Sequence, residues 1–299
     1  MVSRITTALR YPGGKSKALK MILPRIYEDY KHNYGPIKEY REPFVGGGSV
    51  FISVKQDLGD DVRYRINDLN TNLYCFWKLA KERPELLVNE VLKLKNKFPD
   101  GRSLYQSLDK YSHPGTELER AVKFFIRNRI TFSGNTDSGG YSQQAYDRRF
   151  TLSSINRIQT LNTLLKDVYV TNDNYSKLLF KPGKDVFIYL DPPYYTAMKS
   201  ELYGRNGDLH KTFNHKKFAN TLKWCQFAWL MTYDDCQEIR ELFDFAHIYE
   251  WQLQYGVNNG KSKSKIGNEL FISSYEIPSL KKVNSLDINL NKINCNVQN

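Results

Sequence analysis

Apolar and polar positions along the chain follow two periods, one typical of strands and one typical of helices. Val186–Leu190 is an unbroken apolar run, as expected for a strand buried on both faces of a parallel sheet. Four further stretches have strand character: 39–45, 62–68, 227–232 and 269–275. Helical spacing lies between them, for example at 214–224 and 235–243. Strands that alternate with helices predict an open, mostly parallel α/β sheet.

Residues 76–165 interrupt this alternation. After a helical pattern comes a stretch at 131–150 that is rich in Gly, Ser, Gln, Tyr and Arg, and we expect it to form an exposed hairpin or loop. We therefore predict a recognition domain at 76–165, inserted into a catalytic and cofactor-binding domain made of 1–75 and 166–280. An Asn-rich tail follows at 281–299.

Charge is unevenly distributed along the 299 residues. The whole chain has 44 Lys and Arg against 32 Asp and Glu, a net charge of +12. Residues 76–165 hold 15 basic and 9 acidic side chains, so this region supplies +6 of the total. Such an excess favours a polyanionic partner such as nucleic acid, although a solvated basic face would have the same composition.

Composition disfavours several classes of protein. No apolar run approaches the roughly 20 residues of a membrane-spanning helix, and the first residues lack the apolar stretch of a signal peptide. The four cysteines have no spacing typical of a metal or redox site. We therefore expect a cytoplasmic protein that has reduced thiols, no membrane segment and no metal site.

Gly46-Gly47-Gly48 follows a predicted strand and opens a predicted helix. Glycines at that point let the backbone approach a ligand closely, at the carboxyl end of a sheet. The nicotinamide-binding fingerprint would require a small residue where Phe51 stands, so that class of protein is disfavoured. A plain turn is the alternative interpretation.

Asp68 ends the next predicted strand, 20 residues after Gly48. An acidic side chain at this spacing commonly accepts hydrogen bonds from ribose hydroxyls, which suggests a cofactor that contains a nucleoside. The alternative is that Asp68 caps the helix that follows.

Asp191-Pro192-Pro193-Tyr194 is the most specific motif in the chain. The exocyclic amino group of a base is a poor nucleophile, because its lone pair is delocalised into the ring. The Asp191 carboxylate and the Pro192 carbonyl could accept both amino hydrogens and localise that pair for methyl transfer. Pro193 would hold the turn rigid, and Tyr194 offers a face on which an extruded base can stack.

Tyr11 and Lys15 flank a glycine turn near the start of the chain. An aromatic ring attracts a sulfonium cation, and Lys15 could pair with a cofactor carboxylate. Taken alone, the segment could equally be a loop before a helix.

Together these motifs resemble the Dam-type, alpha-class DNA adenine methyltransferases, which transfer a methyl group from S-adenosylmethionine to adenine N6. The motifs occur in the order of that family: 11–15, 42–49, 67–68, an inserted region and 191–194. The resemblance covers about residues 8–276, with weaker similarity at 212–214, 230–232 and 268–270. It implies a Rossmann-like S-adenosylmethionine-dependent methyltransferase sheet with an inserted, mostly helical target-recognition domain.

The resemblance also implies which residues bind the cofactor and the target base. Its cofactor-binding positions correspond to Tyr11, Lys15, Phe44, Gly46, Gly48, Asp68, Asp173 and Asp191. Asp68 would contact the ribose, and Asp173 would lie beside the cofactor adenine. The catalytic positions, which would hold a flipped adenine, correspond to Asp191, Pro192, Pro193 and Tyr194.

The partner implied by the resemblance is double-stranded DNA. We expect base contacts from Asn128, Arg129, Arg148 and Arg149, because Arg and Asn are common readers of base edges. Lys261 and Lys263 correspond to a basic loop of the family and would grip phosphates. A monomer suffices to methylate one adenine at a time, and a cognate restriction endonuclease could act separately on the same site.

Two other functions remain open from the sequence. One is methylation of cytosine N4 in DNA, or of an amino group in RNA. The other is a basic nucleic-acid-binding module with a degenerate cofactor pocket, which the intact 191–194 motif disfavours.

Overall fold

The computed structural model describes residues 4–11, 13–109, 115–136, 139–195, 213–254 and 266–280. Its strands are β1 (Glu39–Glu42), β2 (Arg63–Asn67), β3 (Val168–Thr171), β4 (Val186–Leu190), β5 (Ala228–Asp234), β6 (His247–Gln254) and β7 (Ile266–Ser273). They form a seven-stranded sheet in the order β3-β2-β1-β4-β5-β7-β6.

The direction in which the sheet grows changes between β1 and β4. Strands β2 and β3 follow on one side of β1, and β4 and β5 follow on the other, with all of these pairs parallel. Strand β7 lies antiparallel to β5 and to β6. In open α/β sheets, ligands bind at the carboxyl ends of the strands where the order changes direction. We therefore expect a ligand-binding site in the crevice between β1 and β4.

Helices cover both faces of this sheet. In chain order they are α1 (Leu19–Pro24), α2 (Tyr30–Tyr34), α3 (Ser49–Leu58), α4 (Thr71–Glu82), α5 (Pro84–Lys97), α6 (Gly101–Asp109), α7 (Glu117–Ile130), α8 (Gln143–Arg149), α9 (Leu152–Leu165), α10 (Ser176–Leu179), α11 (His215–Leu222) and α12 (Gln237–Leu242). A π-helical turn, Arg25–Asp29, joins α1 to α2, and Lys15–Lys17 and Phe132–Gly134 are short 3₁₀ turns.

Strand β4 shows why its sequence is an unbroken apolar run. Phe187 and Tyr189 point to the face that packs against α3, α4, α7 and α9. Ile188 and Leu190 point to the opposite face, where α11 and α12 cover the sheet. Alternate side chains of a strand point to opposite faces, so a strand buried on both sides carries no polar positions. The prediction of a mostly parallel α/β sheet is confirmed.

The region 76–165 is helical, as expected, and it shares the hydrophobic core of the sheet. Its predicted start at residue 76 falls inside α4, and the Phe76 ring stacks on Phe125 of α7 with centroids 5.8 Å apart. Buried residues of α4, α5, α7 and α9 belong to the same cluster as Tyr40 and Tyr64 of the sheet. The region 76–165, predicted to serve in recognition, is thus joined to the rest of the described chain by continuous packing.

Two local predictions need correction. The stretch 131–150, expected as a hairpin or loop, contains in its described residues an antiparallel bridge between Thr131 and Tyr141, followed by α8. Ser142 starts this helix, because its hydroxyl accepts a hydrogen bond from the Ala145 N–H. Strands β3 and β6 were not predicted.

In the described part of the chain, no helix is both long enough and apolar enough to cross a membrane.

Candidate active site

Three sequence motifs meet at the carboxyl ends of β1, β2 and β4. The glycine turn 46–48 follows β1, Asp68 follows β2, and Asp191 follows β4. Since β1 lies between β2 and β4 in the sheet, these segments surround the point where strand order changes direction. The fold therefore assembles the predicted cofactor and catalytic motifs in one crevice.

Close packing explains the glycine turn. Gly46 and Gly48 have positive φ values of 47° and 70°, a region that favours glycine. A side chain at Gly48 would also place its Cβ 2.6 Å from Trp77, and one at Gly47 would meet Tyr11 at 2.7 Å. The indole N–H of Trp77 donates to the Gly46 carbonyl over 3.1 Å. Trp77 and Tyr11 thus hold the turn from two sides.

Asp68 is bound by backbone groups and does not cap α4. Its carboxylate accepts hydrogen bonds from the N–H groups of Gly46 (3.0 Å) and Asn70 (2.9 Å). Asn70 is the capping residue, because its side chain accepts from Asn72 and Leu73. Burial raises the pKa of Asp68 to about 6 in spite of these N–H donors. The carboxylate is therefore available to a ligand rather than used to start the helix.

Asn67 connects three segments of the crevice. Its amide N–H₂ group donates to the carbonyls of Pro43 (3.0 Å) and Asp173 (2.9 Å). Its carbonyl oxygen accepts from the Asp173 N–H (2.8 Å) and the Thr171 hydroxyl (2.8 Å). The Asp173 side chain itself is exposed. Asn67 thereby brings the backbone at Asp173 next to the loop that carries Phe44.

Phe44 lies in an aromatic cluster on the side of the crevice that faces α10 and α11. Its ring centroid is 5.5 Å from that of Tyr175, 5.8 Å from Phe213 and 5.6 Å from Phe218. Phe44 and Tyr175 are half-buried. Flat apolar surfaces of this kind suit the ring of a nucleoside.

Lys15 and Asp191 form an ion pair across the crevice. The Lys15 Nζ lies 2.7 Å from Oδ1 of Asp191 and also donates to the Gly13 carbonyl over 3.2 Å. Only 4% of Lys15 is exposed, so its charge is buried next to the carboxylate. The same Asp191 oxygen accepts a hydrogen bond from the Thr232 hydroxyl over 3.0 Å.

Tyr194 is held at its ring and at its hydroxyl. The Lys15 ammonium lies over its face, 4.7 Å from the ring centroid. The ring stacks on Tyr233, with centroids 5.8 Å apart and planes 21° apart. The hydroxyl donates to Oε2 of Glu269 over 2.9 Å. After the motif, the Tyr195 N–H donates to Asp234 over 3.0 Å, so the chain is fixed on both sides of the two prolines.

A further carboxyl group is buried at the end of β1. Glu42 accepts a hydrogen bond from the Tyr40 hydroxyl over 2.6 Å. Burial raises the pKa of Glu42 well above its usual range, and the neighbouring Asp191 and Asp68 raise it further. Burial therefore disfavours the charged form of Glu42.

The structure places Asn128 and Arg129 inside the protein. The Asn128 amide exchanges hydrogen bonds with the backbone of Arg10, donating over 2.7 Å and accepting over 2.8 Å. Arg129 donates to the carbonyls of Arg149 (2.8 Å) and Ala8 (3.1 Å). Both side chains are buried, so the expectation that they contact bases does not fit their placement. They tie α7 to the N-terminal segment and to the end of α8.

The remaining candidates for DNA contact differ in position. Arg148 and Arg149 are exposed in the last turn of α8. Phe132, at the start of the segment 132–149 in which base contacts were expected, follows α7 and is 64% exposed. Lys261 and Lys263 lie outside the described residues.

Sequence reasoning assigned no role to Thr232, Tyr233 or Glu269, although each contacts the 191–194 motif or supports a residue in it. Two of them lie in the segments 230–232 and 268–270, where similarity to the family was weak. Their contacts depend on which strands are neighbours in the sheet, and a single sequence does not reveal that pairing. Among the described residues, no cluster of His, Cys, Asp or Glu could hold a metal ion.

A mostly parallel sheet with a glycine turn and an acidic residue at its switch point is the arrangement of S-adenosylmethionine-dependent methyltransferases. Residues 11–257 match the D12 class N6 adenine-specific DNA methyltransferase family. The chain belongs to that family, and it is an adenine-specific DNA methyltransferase by class. The resemblance noted from the motifs is confirmed.

Characterised relatives are similar over different shares of their length. The type II methyltransferase M.MjaIII of Methanocaldococcus jannaschii is 24% identical over 65% of this chain and 71% of its own. Modification methylase StsI of Streptococcus sanguinis is 25% identical over 94% of this chain, which spans only 44% of that protein. The DNA adenine methylase of Escherichia coli K12 is 21% identical over 86% of this chain and 91% of its own.

Proposed function

We propose that this methyltransferase uses S-adenosylmethionine to methylate N6 of an adenine that is flipped out of duplex DNA. The observation that carries the proposal is the position of Asp191. Its carboxylate stands at the carboxyl end of β4, ion-paired to buried Lys15 and beside the held ring of Tyr194. A fixed acceptor next to an aromatic face is what a planar amino substrate requires.

The crevice has the features that bind a nucleoside-containing cofactor. Asp68 would accept hydrogen bonds from the ribose hydroxyls, and the faces of Phe44 and Tyr175 would contact the adenine ring, close to Asp173. Tyr11 lies against the glycine turn, where backbone atoms of Gly46 and Gly48 could approach the ligand. S-adenosylmethionine would supply an electrophilic methyl group there.

The residues 191–194 would prepare the target base. The Asp191 carboxylate and the Pro192 carbonyl would each accept one hydrogen of the N6 amino group, so that its lone pair becomes available for attack. The Tyr194 ring, which already contacts Lys15 and Tyr233, would border the base, and Pro193 would keep the two acceptors in place. As the new N–C bond forms and the S–C bond breaks, the nitrogen becomes acidic and can lose its extra proton to solvent.

DNA would lie across the end of the sheet that carries this crevice. Arg148 and Arg149 are exposed and could contact the duplex, and Lys261 and Lys263 remain proposed phosphate contacts. The exposed ring of Phe132 could occupy the space that the flipped adenine leaves, because apolar side chains often insert between unstacked bases.

The biological setting is part of the same proposal. The names of the relatives, type II methyltransferase M.MjaIII and modification methylase StsI, favour a modification methylase. We propose that a cognate restriction endonuclease acts separately. We propose a cytoplasmic monomer, because one active site suffices for one adenine.

The test is to identify the labelled nucleoside. The protein is incubated with duplex DNA and S-adenosylmethionine labelled in the methyl group, and the DNA is then digested to nucleosides. We expect the label in N6-methyladenine. Label only in N4-methylcytosine, or only when RNA replaces DNA, would overturn the proposal. Boiled protein provides the background.

A further inference from the structure

Two buried hydroxyl groups form a chain that ends on Asp191. The Tyr189 hydroxyl lies 2.9 Å from Oγ1 of Thr232, and this oxygen lies 3.0 Å from Oδ1 of Asp191. Both side chains are fully buried. An ionised carboxylate only accepts, so the single hydrogen of Thr232 points to Asp191. Thr232 must then accept its other hydrogen bond from Tyr189.

The pairing of β4 with β5 fixes this geometry. The strands are parallel neighbours, with Tyr189 opposite Leu230 and Leu190 opposite Met231. The next position of β5 is Thr232, which therefore stands beside the residue that follows β4. Side chains on paired strands in a packed core move little, so they hold a site more accurately than loop residues do.

Among the described residues, the side chains that donate hydrogen bonds to Asp191 do so to one oxygen. Lys15 and Thr232 both donate to Oδ1, over 2.7 Å and 3.0 Å. Neither of them donates to Oδ2. A carboxylate held at one oxygen keeps its plane fixed and leaves the other oxygen free to accept.

We propose that Thr232, oriented by Tyr189, is a positioning residue that holds Oδ1 of Asp191 so that Oδ2 faces an amino hydrogen of the target adenine. This inference rests on the proposed function of Asp191 as the amino-group acceptor. Lys15 neutralises the carboxylate, while Thr232 sets its rotation. The role of Thr232 is therefore a matter of geometry rather than of charge.

The principal test compares Thr232→Val with Thr232→Ser. Valine has nearly the same shape and lacks the hydroxyl, so we expect kcat for adenine methylation to fall about 10- to 100-fold. The KM for duplex DNA should stay within about threefold, because Thr232 does not touch DNA in this scheme. Serine restores the donor, and we expect it to bring kcat back to within about threefold of the wild type.

A double variant separates the loss of the Thr232 hydroxyl from a loss of stability. Thr232→Val leaves the buried Tyr189 hydroxyl without its acceptor, which destabilises a fold. The double variant Tyr189→Phe/Thr232→Val removes both polar groups together, so its melting temperature should be closer to that of the wild type. We expect its kcat to be as low as that of Thr232→Val.

Tyr64→Phe is the matched control for a lost tyrosine hydroxyl. Tyr64 is buried on β2, and its hydroxyl donates to the Gly59 carbonyl, away from Asp191. We expect Tyr64→Phe to keep the wild-type kcat. Tyr189→Phe alone should lower kcat by less than Thr232→Val, since Thr232 can still donate to Asp191.

The outcomes separate this inference from the proposed function. If the wild type methylates adenine and the folded Thr232→Val or double variant keeps its kcat within about threefold, Thr232 is not a positioning residue. The same conclusion follows if Thr232→Ser is as slow as Thr232→Val. If the wild type itself methylates a different base, the proposed function has failed instead.

Discussion

Asp68 and Asp191 stand at the same edge of the sheet and are held by different kinds of donor. Asp191 has a buried ammonium and a hydroxyl on one oxygen. Asp68 is bound by neutral backbone N–H groups, which lower its pKa, but burial outweighs them and raises the pKa to about 6.

The raised pKa of Asp68 predicts that cofactor affinity depends on pH. Ribose hydroxyls donate to an ionised carboxylate, and protonation below about pH 6 removes that acceptor. Calorimetry should give a Kd of S-adenosylmethionine that is constant above pH 7 and roughly tenfold higher, meaning weaker binding, at pH 5. Asp68→Asn should bind weakly and lose this dependence. A flat profile for the wild type would show that the Asp68 carboxylate does not contact the cofactor.

Gly48 provides a prediction about the packing of the cofactor turn. Its φ is 70°, and an added Cβ would lie 2.6 Å from Trp77. Gly59 has nearly the same φ, 72°, with no atom within 4 Å of an added Cβ. Gly59 has a ψ of −157°, a combination nearly restricted to glycine, so Gly59→Ala measures backbone strain without a steric contact, which we expect to cost about 1–3 kcal/mol of unfolding free energy. Gly48 has a ψ of 20°, where alanine costs about 1 kcal/mol, and Gly48→Ala should lose about 1–3 kcal/mol in addition, because Trp77 must move.

Denaturant unfolding of the two glycine variants decides this point. A loss of no more than about 1 kcal/mol in Gly48→Ala, the cost of its backbone conformation alone, would mean that Trp77 does not constrain the turn. Binding of S-adenosylmethionine by Gly48→Ala should also weaken, whereas Gly59→Ala should bind as the wild type does.

At the level of elements, α7 and α8 carry residues for which the sequence predicted the same role, contact with bases. The structure places these residues in different surroundings. Asn128 and Arg129 bind backbone groups and hold the recognition helices against the N-terminal segment. Burial lowers the pKa of the Arg129 guanidinium, with a smaller contribution from Arg10. Arg148 and Arg149 remain exposed at the end of α8.

We therefore expect arginine variants in α7 and α8 to change different properties, stability in one case and DNA binding in the other. Arg148→Ala and Arg149→Ala should each weaken DNA binding and reduce the dependence of log K on log salt by about one unit, without changing Tm. Arg129→Ala should lower the unfolding free energy by roughly 2–4 kcal/mol, because buried carbonyls lose their donor. Titrations at several salt concentrations and thermal unfolding measure both. A stable Arg129→Ala protein that has lost only DNA affinity would contradict the structural role.

Sequence patterns predicted the strand that is covered on both faces and missed a short strand that is partly exposed. Strand β4 was evident because both of its faces are covered. Strand β3 has only four residues and an exposed Tyr169, so it carries little hydrophobic signal. The antiparallel direction of β7 could not be predicted, because an alternating pattern is the same for both directions.

The residues of the site were also predicted only in part, because some of their contacts join segments that are distant in the sequence. Asp68 and the 191–194 motif were found because spacing along the chain places them at strand ends. Thr232 was not, since its contact with Asp191 depends on β4 and β5 being neighbours. The burial of Asn128 was also hidden, because its partner Arg10 is far away in the sequence.

On the scale of the whole molecule, one sheet carries both the proposed cofactor site and the proposed recognition helices. Its switch point gathers the motifs that follow β1, β2 and β4, and helices α4, α5, α7 and α9 share its core. The excess charge of +12, half of it within 76–165, suits an enzyme whose recognition region meets an anionic duplex. Continuous packing between the two regions fixes the recognition helices relative to Asp191.

The most direct test of this account is the single-turnover rate of N6-methyladenine formation by Asp191→Ala, with saturating S-adenosylmethionine and duplex DNA. Asp167→Ala, an exposed position after α9, is the control. We predict that Asp191→Ala loses at least about 10²- to 10³-fold in rate while it keeps its fold and its affinity for DNA, and that the control is unchanged. A folded Asp191→Ala protein that methylates adenine within tenfold of the wild-type rate would contradict the account.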